Sequence, residues 1–421
     1  MKGISLLLTI FTVWILSFSI VSAESDDVLK VAFIKDNDLW IKVDNHEQRI
    51  TNGEFIRFPK WSFDGNWIAY IKGDKENEYS MHQGDLWAYH VKTQRKYKVF
   101  SNVSTNFNWS PNQNTLGFQS DDVLTMVNVH VLHKPQQITS GIINFSWLPD
   151  GSGFLTSSKA GENVFEDIVL SNILFKDDKR LEPHHFYTIP VGKNDYFYGT
   201  SQFKWSYDHR WIAFQLVPTA SMSADSNTIS VLSNDGRILH KIDEMLNYEE
   251  WFQWAPSNNS LAFIRGNNRL STINKKLTIK DMPKNKISMY TPSGFVDRDF
   301  SWISNNKLLV SRSVESDLIN VAERPLPSIY LIDLQTGKER KITSPSENEG
   351  DFHPQSANNG KSLIWIRTSR DHASVMIANI SDRKEKRWIE KIDLGPWYYE
   401  HWNWDEVFSL YYPPERGVLL R

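Results

Sequence analysis

One phrase recurs along this chain and limits what it can become. FPKWSFDGNWIAY (58–70), FNWSPNQNTLGF (107–118), FSWLPDGSGFLT (145–156), FKWSYDHRWIAF (203–214), FQWAPSNNSLAF (252–263) and FSWISNNKLLV (300–310) share one layout. HPQSANNGKSLIW (353–365) follows it with Ser356 in place of the tryptophan, and HWNWD (401–405) reads as a truncated last copy. The anchor positions are Trp61, Trp109, Trp147, Trp205, Trp254, Trp302, Ser356 and Trp404, 38 to 58 residues apart. A period near 50 marks a repeated supersecondary unit.

Each phrase has the pattern of a β-hairpin. Alternation puts the aromatic pair of the first strand on one face. The turn then falls on Asp64-Gly65, Asn112-Gln113, Asp150-Gly151, Asp208-His209, Ser257-Asn258, Asn305-Asn306 or Asn359-Gly360. Asp, Asn and Gly tolerate the positive φ of a tight hairpin. Two further strands follow in each period, as in DLWAYHV (85–91) with KYKVF (96–100), TISVLSNDGRILHKI (228–242) and SIYLIDLQTGKERKIT (328–343). Helical patterning is hard to find after the N-terminal segment.

A four-stranded sheet with aromatics on its faces cannot bury itself alone, whereas a ring of such sheets buries both faces. The expected fold is therefore all-β: a single β-propeller of four-stranded antiparallel blades, eight in number, with seven as the alternative. Residues 29–51 supply three strands that lack an innermost partner, and HWNWD is expected to provide it, closing the ring from both ends. VFSLYY (407–412) competes with VAFIK for the second-strand slot. The recurring tryptophans are expected to pack between blades.

The chain has 421 residues, is 40% hydrophobic and 13% aromatic, and includes 17 Trp, enough for a large core. A formal net charge of −3 gives no basic field for nucleic acid. The absence of cysteine excludes disulfides, thiolate metal sites and cysteine nucleophiles. Lys2, an uncharged run from Ile4 to Ile20 and Val21-Ser22-Ala23 have the layout of a secretory signal peptide over 1–23, leaving a propeller domain over 24–421; an uncleaved anchor is the alternative. The expected location is secreted, extracellular or in the cell envelope, periplasmic where the source has an outer membrane.

The repeat resembles that of the TolB-type propellers. Ile329-Tyr330, Asp333, Thr336-Gly337, Ile342-Thr343 and Asn359-Gly360 match their strand-and-turn pattern, and Trp61-Ser62-Phe63-Asp64-Gly65 and Trp109-Ser110-Pro111-Asn112 match their hairpin. The resemblance implies the fold for the whole mature chain. It leaves no room for the α/β domain of TolB. Propellers of this kind also gate prolyl-oligopeptidase-like enzymes, but the chain stops at Arg421, so neither assignment is expected to carry over.

No Gly-x-Ser-x-Gly elbow, His-Glu-x-x-His or phosphate-binding glycine loop is present in the sequence. His184-His185 would point to opposite faces of a strand and so hold no shared ion. The Arg383–Arg387 charge run reads as a solvated turn. The segments before each inner strand line one channel mouth in a propeller, and they carry Glu54, Arg57, Asp195, Glu249, Glu250, Asp297, Asp299, Asp351 and Glu400 among aromatics. Converging carboxylates can hold a hard cation or attract a cationic peptide. Joint charge reversal at Glu249, Asp297 and Asp351 is therefore expected to weaken binding without unfolding the chain. His353 and His401 are weak metal candidates.

With no nucleophile motif, the expected function is an exported, non-catalytic propeller, a binding or scaffolding module for a protein, glycan or cation at the envelope. The alternative is a propeller enzyme acting on polysaccharide, a lyase or hydrolase, from the channel mouth. No cofactor is expected beyond a channel cation such as calcium. The expected partner is an envelope or extracellular protein or glycan, with no nucleic acid and no membrane span after signal cleavage, and the chain is expected to be a monomer.

Overall fold

A computed structural model describes residues 28–413, apart from 75–81, 162, 164–165, 177–178, 181, 383 and 400. The expected signal segment, 1–23, and Glu400 lie outside the described residues. No helix among the described residues is long and apolar enough to cross a membrane.

The hairpin phrases open successive four-stranded antiparallel sheets, and eight such sheets form the ring of a β-propeller. In blade 1 the strands are Phe55–Trp61, Trp67–Gly73, Gln83–His90 and Arg95–Ser104, paired in chain order. Blades 2 to 7 begin with Phe107–Trp109, Ile142–Trp147, Phe197–Thr200 continued by Lys204–Trp205, Phe252–Trp254, Phe295–Ser304 and Gly350–Ala357. The one α-helical turn described is Met222–Asp225.

Blade 8 combines the two ends, as the sequence predicts. Its order is His46–Arg49, Asp38–Val43, Lys30–Lys35 and then Phe408–Leu410. The closing strand corrects the sequence reading, however. Phe408–Leu410 takes the innermost slot, with Val31 opposite Leu410 and Phe33 opposite Phe408. HWNWD does not take it: Trp404–Glu406 is a 3-10 turn, and His401–Trp402 pairs with Trp397–Tyr398 in a separate hairpin.

The anchor tryptophans of most blades are tied to the blade before by a repeated hydrogen bond. Trp109 Nε1 donates to Lys60 O at 2.9 Å, Trp147 Nε1 to Asn108 O at 3.1 Å, Trp254 Nε1 to Lys204 O at 2.8 Å and Trp302 Nε1 to Gln253 O at 3.2 Å. Each acceptor is the carbonyl just before the anchor of the preceding blade. Ser356 makes a related bond one residue along, its hydroxyl donating to the carbonyl of the anchor Trp302 itself at 3.1 Å. Trp61 Nε1 closes the ring on Ser409 O at 3.0 Å, which identifies Leu410 as the anchor of blade 8.

The turn residues act twice. Asp64 accepts from Ser62 Oγ and the Asn66 N–H within its own turn, then from Asn114 Nδ2 of blade 2 at 2.9 Å. Asp208 repeats this with Ser206, the Arg210 N–H and Asn259 of blade 5. Gly65 has φ 63°, and a Cβ there would lie 2.6 Å from the Tyr411 ring, so both backbone and packing require glycine. Apolar faces fill the gaps between sheets: Ala69, Ile71, Leu86 and Ala88 of blade 1 are buried with Phe107, Leu116 and Phe118 of blade 2. Each large side chain so buried contributes about 1.5–3 kcal/mol.

Candidate functional site at the channel mouth

Between blades 7 and 8 the chain does not pass directly from one sheet to the next. Its hairpin, Trp397–Tyr398 paired with His401–Trp402, reaches blade 5. Tyr399 O accepts from the Ser271 N–H at 3.3 Å and Ser271 Oγ at 3.2 Å, and Tyr248 Oη donates to Tyr398 O at 3.4 Å. The Asn267–Ile273 loop that receives it is held by Lys275, whose buried ammonium donates to the carbonyls of Asn267, Asn268 and Ile273 at 2.8, 2.9 and 2.7 Å.

Beneath this crossing is a cavity of about 630 Å³, lined among others by Lys60, Gln202, Tyr248, Glu249, Glu250 and His401, with Asp405 and Glu406. His401, 3% exposed, presents Nε2 to Glu250 Oε1 at 2.7 Å. Its ring lies on Tyr248, centroids 3.8 Å apart, and edge-on to Trp251. Asp299 is buried beside the pair, with Oδ1 accepting from Trp251 Nε1 at 3.2 Å and Oδ2 from the His353 N–H at 3.0 Å. One donor atom each from Glu250, Asp299 and His401 fall within 4.8 Å of one another. His353 Nε2 lies 2.6 Å from Gln355 Nε2 and 3.5 Å from Asp405 Oδ1.

Two lysines reach the same space from the residue before an anchor. Lys60 Nζ donates to Phe107 O at 2.8 Å and Asn108 Oδ1 at 3.3 Å, and Lys204 Nζ donates to Phe252 O at 3.1 Å and to Glu249 O. Each ammonium also stands over the phenylalanine ring of the next blade. Burial lowers the Lys60 pKa to about 8, opposed by the charges of Asp405 and Glu249, and lowers that of Lys204.

The carboxylates diverge for physical reasons. Burial raises Asp299, against the pull of His401 and His353, and raises Glu249 against Lys204. Burial acts upward on Glu250 too, but the His401 hydrogen bond and charge outweigh it and hold the group below the usual range. Glu249 Oε1 accepts from the Gln202 N–H at 2.8 Å, while its buried Oε2 has no hydrogen-bond partner among the described residues. Glu406, 8% exposed, accepts from Asn403 at one oxygen and likewise has no hydrogen-bond partner at the other; burial pushes it up to about 7.

The structure therefore brings together Glu249, Glu250, Asp299, His401 and His353 from the sequence-predicted set and ties the other described members to partners of their own. Asp297 is buried in a two-pronged pair with Arg312 at 2.6 and 2.8 Å, and Asp351 in one with Arg367 at 2.7 and 2.9 Å. These two carboxylates hold strands together, which corrects the expectation that reversing them spares the fold. Glu54 pairs with Lys72 and Lys96 on the flank of blade 1, Arg57 bonds to Asn37 at the blade 8 seam, and exposed Asp195 pairs with Lys241. Lys60, Lys204, Asp405 and Glu406 were not singled out. The lysine directly before an anchor, in FPKW and FKW, was the available signal.

No protein-family model matches the chain. Among curated proteins it is 27% identical over 113 residues to the "Uncharacterized peptidase YuxL" of Bacillus subtilis (strain 168), a match covering 25% of this chain and 17% of that protein. Puromycin hydrolase superposes with a TM-score of 0.51 at 11% identity, over 81% of this chain and 54% of the hydrolase. The dihydro-heme d1 dehydrogenase NirN gives 0.56 at 15% identity, over 86% and 73%. The two structures share the fold. The chain thus spans about half the length of the hydrolase and matches a small part of the curated peptidase. That curated match overturns the expectation of a non-catalytic binding module.

Proposed function

We propose that this chain is an enzyme of the propeller-peptidase kind, acting on the amide bonds of peptides or peptide-like molecules at the channel mouth. One observation carries the reading: the buried His401–Glu250 pair, 2.7 Å apart, opens on a cavity of about 630 Å³, room for a few residues of an extended chain. The curated peptidase match supports it. An acidic mouth attracts the amine or basic end of a peptide, and Tyr248, Trp397 and Tyr398 offer it flat apolar surfaces.

In this reading a water placed among Glu250, Asp299 and His401 attacks the amide carbonyl. The imidazole takes the water's proton and returns it to the departing amine nitrogen, while Glu250 stabilises the imidazolium between the two transfers. The TolB-type kinship of the repeat, and export by the N-terminal segment, belong to the same proposal and rest on the sequence phrases that carry them.

The test is turnover of aminoacyl and oligopeptidyl aminomethylcoumarin amides, with free and acetylated N-termini, by the purified chain. Hydrolysis is expected for free amines and falls at least 100-fold in His401→Ala and Glu250→Gln, but not in Glu349→Gln, a residue whose carboxylate accepts from Ser346 Oγ and does not line the cavity. Turnover of none of these amides overturns the reading.

A further inference from the structure

We infer that Glu250, Asp299 and His401 form a binding site for one divalent first-row cation, Mn2+ or Zn2+. The three groups come from three parts of the ring: the entry to blade 5, the inner strand of blade 6 and the crossing hairpin. Their donor atoms already lie within 4.8 Å of one another, close enough for one ion to sit among all three. One imidazole nitrogen with two carboxylate oxygens suits these cations better than calcium or magnesium, which favour oxygen alone. Three protein ligands also leave positions open to water, the pattern of a working site.

The surroundings are those of a ligand shell. Asp299 is fixed at both oxygens, by the Trp251 indole and the His353 N–H, as an outer shell orients a ligating carboxylate. His401 is clamped between Tyr248 and Trp251. A separate observation concerns the carboxylates of the same cavity. Glu406, 8% exposed and lining the same cavity, has an oxygen with no hydrogen-bond partner among the described residues, and so does Glu249 beside Glu250.

Any use of such an ion in turnover rests on the hydrolytic reading above and would replace the proton transfer given there to His401, whose imidazole would then be a ligand; its binding rests on neither. The full chain, stripped with EDTA and titrated calorimetrically with Mn2+ and with Zn2+, is expected to take up one equivalent of at least one of them. Affinity should fall at least 100-fold in Asp299→Asn and His401→Ala, each confirmed folded by circular dichroism, and stay unchanged in Glu349→Gln. The Mn2+ EPR spectrum should change on binding to the parent and not to the variants. No stoichiometric uptake of either ion, or uptake equal in parent and variants, overturns the site. Metal uptake without amide turnover upholds the site and sinks the hydrolytic reading; amide turnover without metal uptake does the reverse.

Discussion

His401 Nε2 and Glu250 Oε1, 151 residues apart in the chain, meet at 2.7 Å and tie the segment that closes the ring to the entry of blade 5. Removing one partner leaves a buried charge or imidazole unanswered. His401→Ala is expected to cost about 3 kcal/mol and to raise hydrogen exchange at Trp397, Tyr398, His401 and Trp402 well before the blades open. Unchanged exchange there would show that the hairpin is held by Tyr399 and Ser271 alone.

The rungs between blades are expected to be worth about 1–2 kcal/mol each. Trp254→Phe keeps an aromatic ring in the gap but leaves Lys204 O without its indole donor. The urea midpoint should fall with little change in slope. Trp302→Phe, which strips Gln253 O, should behave alike, and the pair should be nearly additive if the rungs act separately.

Asp297 and Asp351 are expected to fail as surface charges and to matter as struts. Asp297→Asn breaks a pair in which both side chains are at most 1% exposed, at a cost of about 3–5 kcal/mol. Glu54→Gln, on the flank of blade 1, should cost under about 1 kcal/mol. Thermal unfolding of the two variants side by side separates the roles.

Glu406 gives a pH dependence of definite sign. Its carboxyl is pushed up to about 7 in the fold from an ordinary value of 4.5. Between those pH values the folded chain keeps a proton that the unfolded chain has released, so this group's contribution falls as pH rises through the window. Glu406→Gln removes that slope, roughly 3 kcal/mol, and should be more stable than the parent at pH 8 and equal to it near pH 4. Urea midpoints at pH 4.5, 6 and 8 check this; a constant difference at all three contradicts it.

Lys275 should link a loop to the mouth. Lys275→Met leaves the carbonyls of Asn267, Asn268 and Ile273 without their shared donor. A loss of about 3 kcal/mol is expected, together with faster exchange at Ser271, whose N–H and hydroxyl hold Tyr399. Retained protection at Ser271 would disconnect the loop from the hairpin.

The ring was legible because its hairpin is written the same way each time: an aromatic at the anchor, a turn of Asp, Asn or Gly, and a second apolar strand. Closure from both ends was legible too, but the closing strand was misread. HWNWD carries the tryptophans, yet Phe408-Ser409-Leu410 occupies the register, with Leu410 where every other blade but blade 7 places an indole. The mouth was half legible. Reading the residues before each inner strand found Glu249 and Glu250, yet also swept in Glu54 and Asp195, which lie on flanks. Position along a strand does not reveal which carboxylates pair with an arginine, so Asp297 and Asp351 looked identical to Asp299. Lys60 and Lys204 were missed because their reach into the channel follows from blade register, and His401 met Glu250 only through a hairpin that no periodicity announces.

Blade 8 is stitched by a short ladder in which Val31 lies opposite Leu410, next to where each strand leaves the sheet. Tension applied through the two ends of the chain would therefore load these pairs in sequence, peeling them like a zipper instead of shearing them together. The seam that completes the circle is also the place where pulling would first undo it.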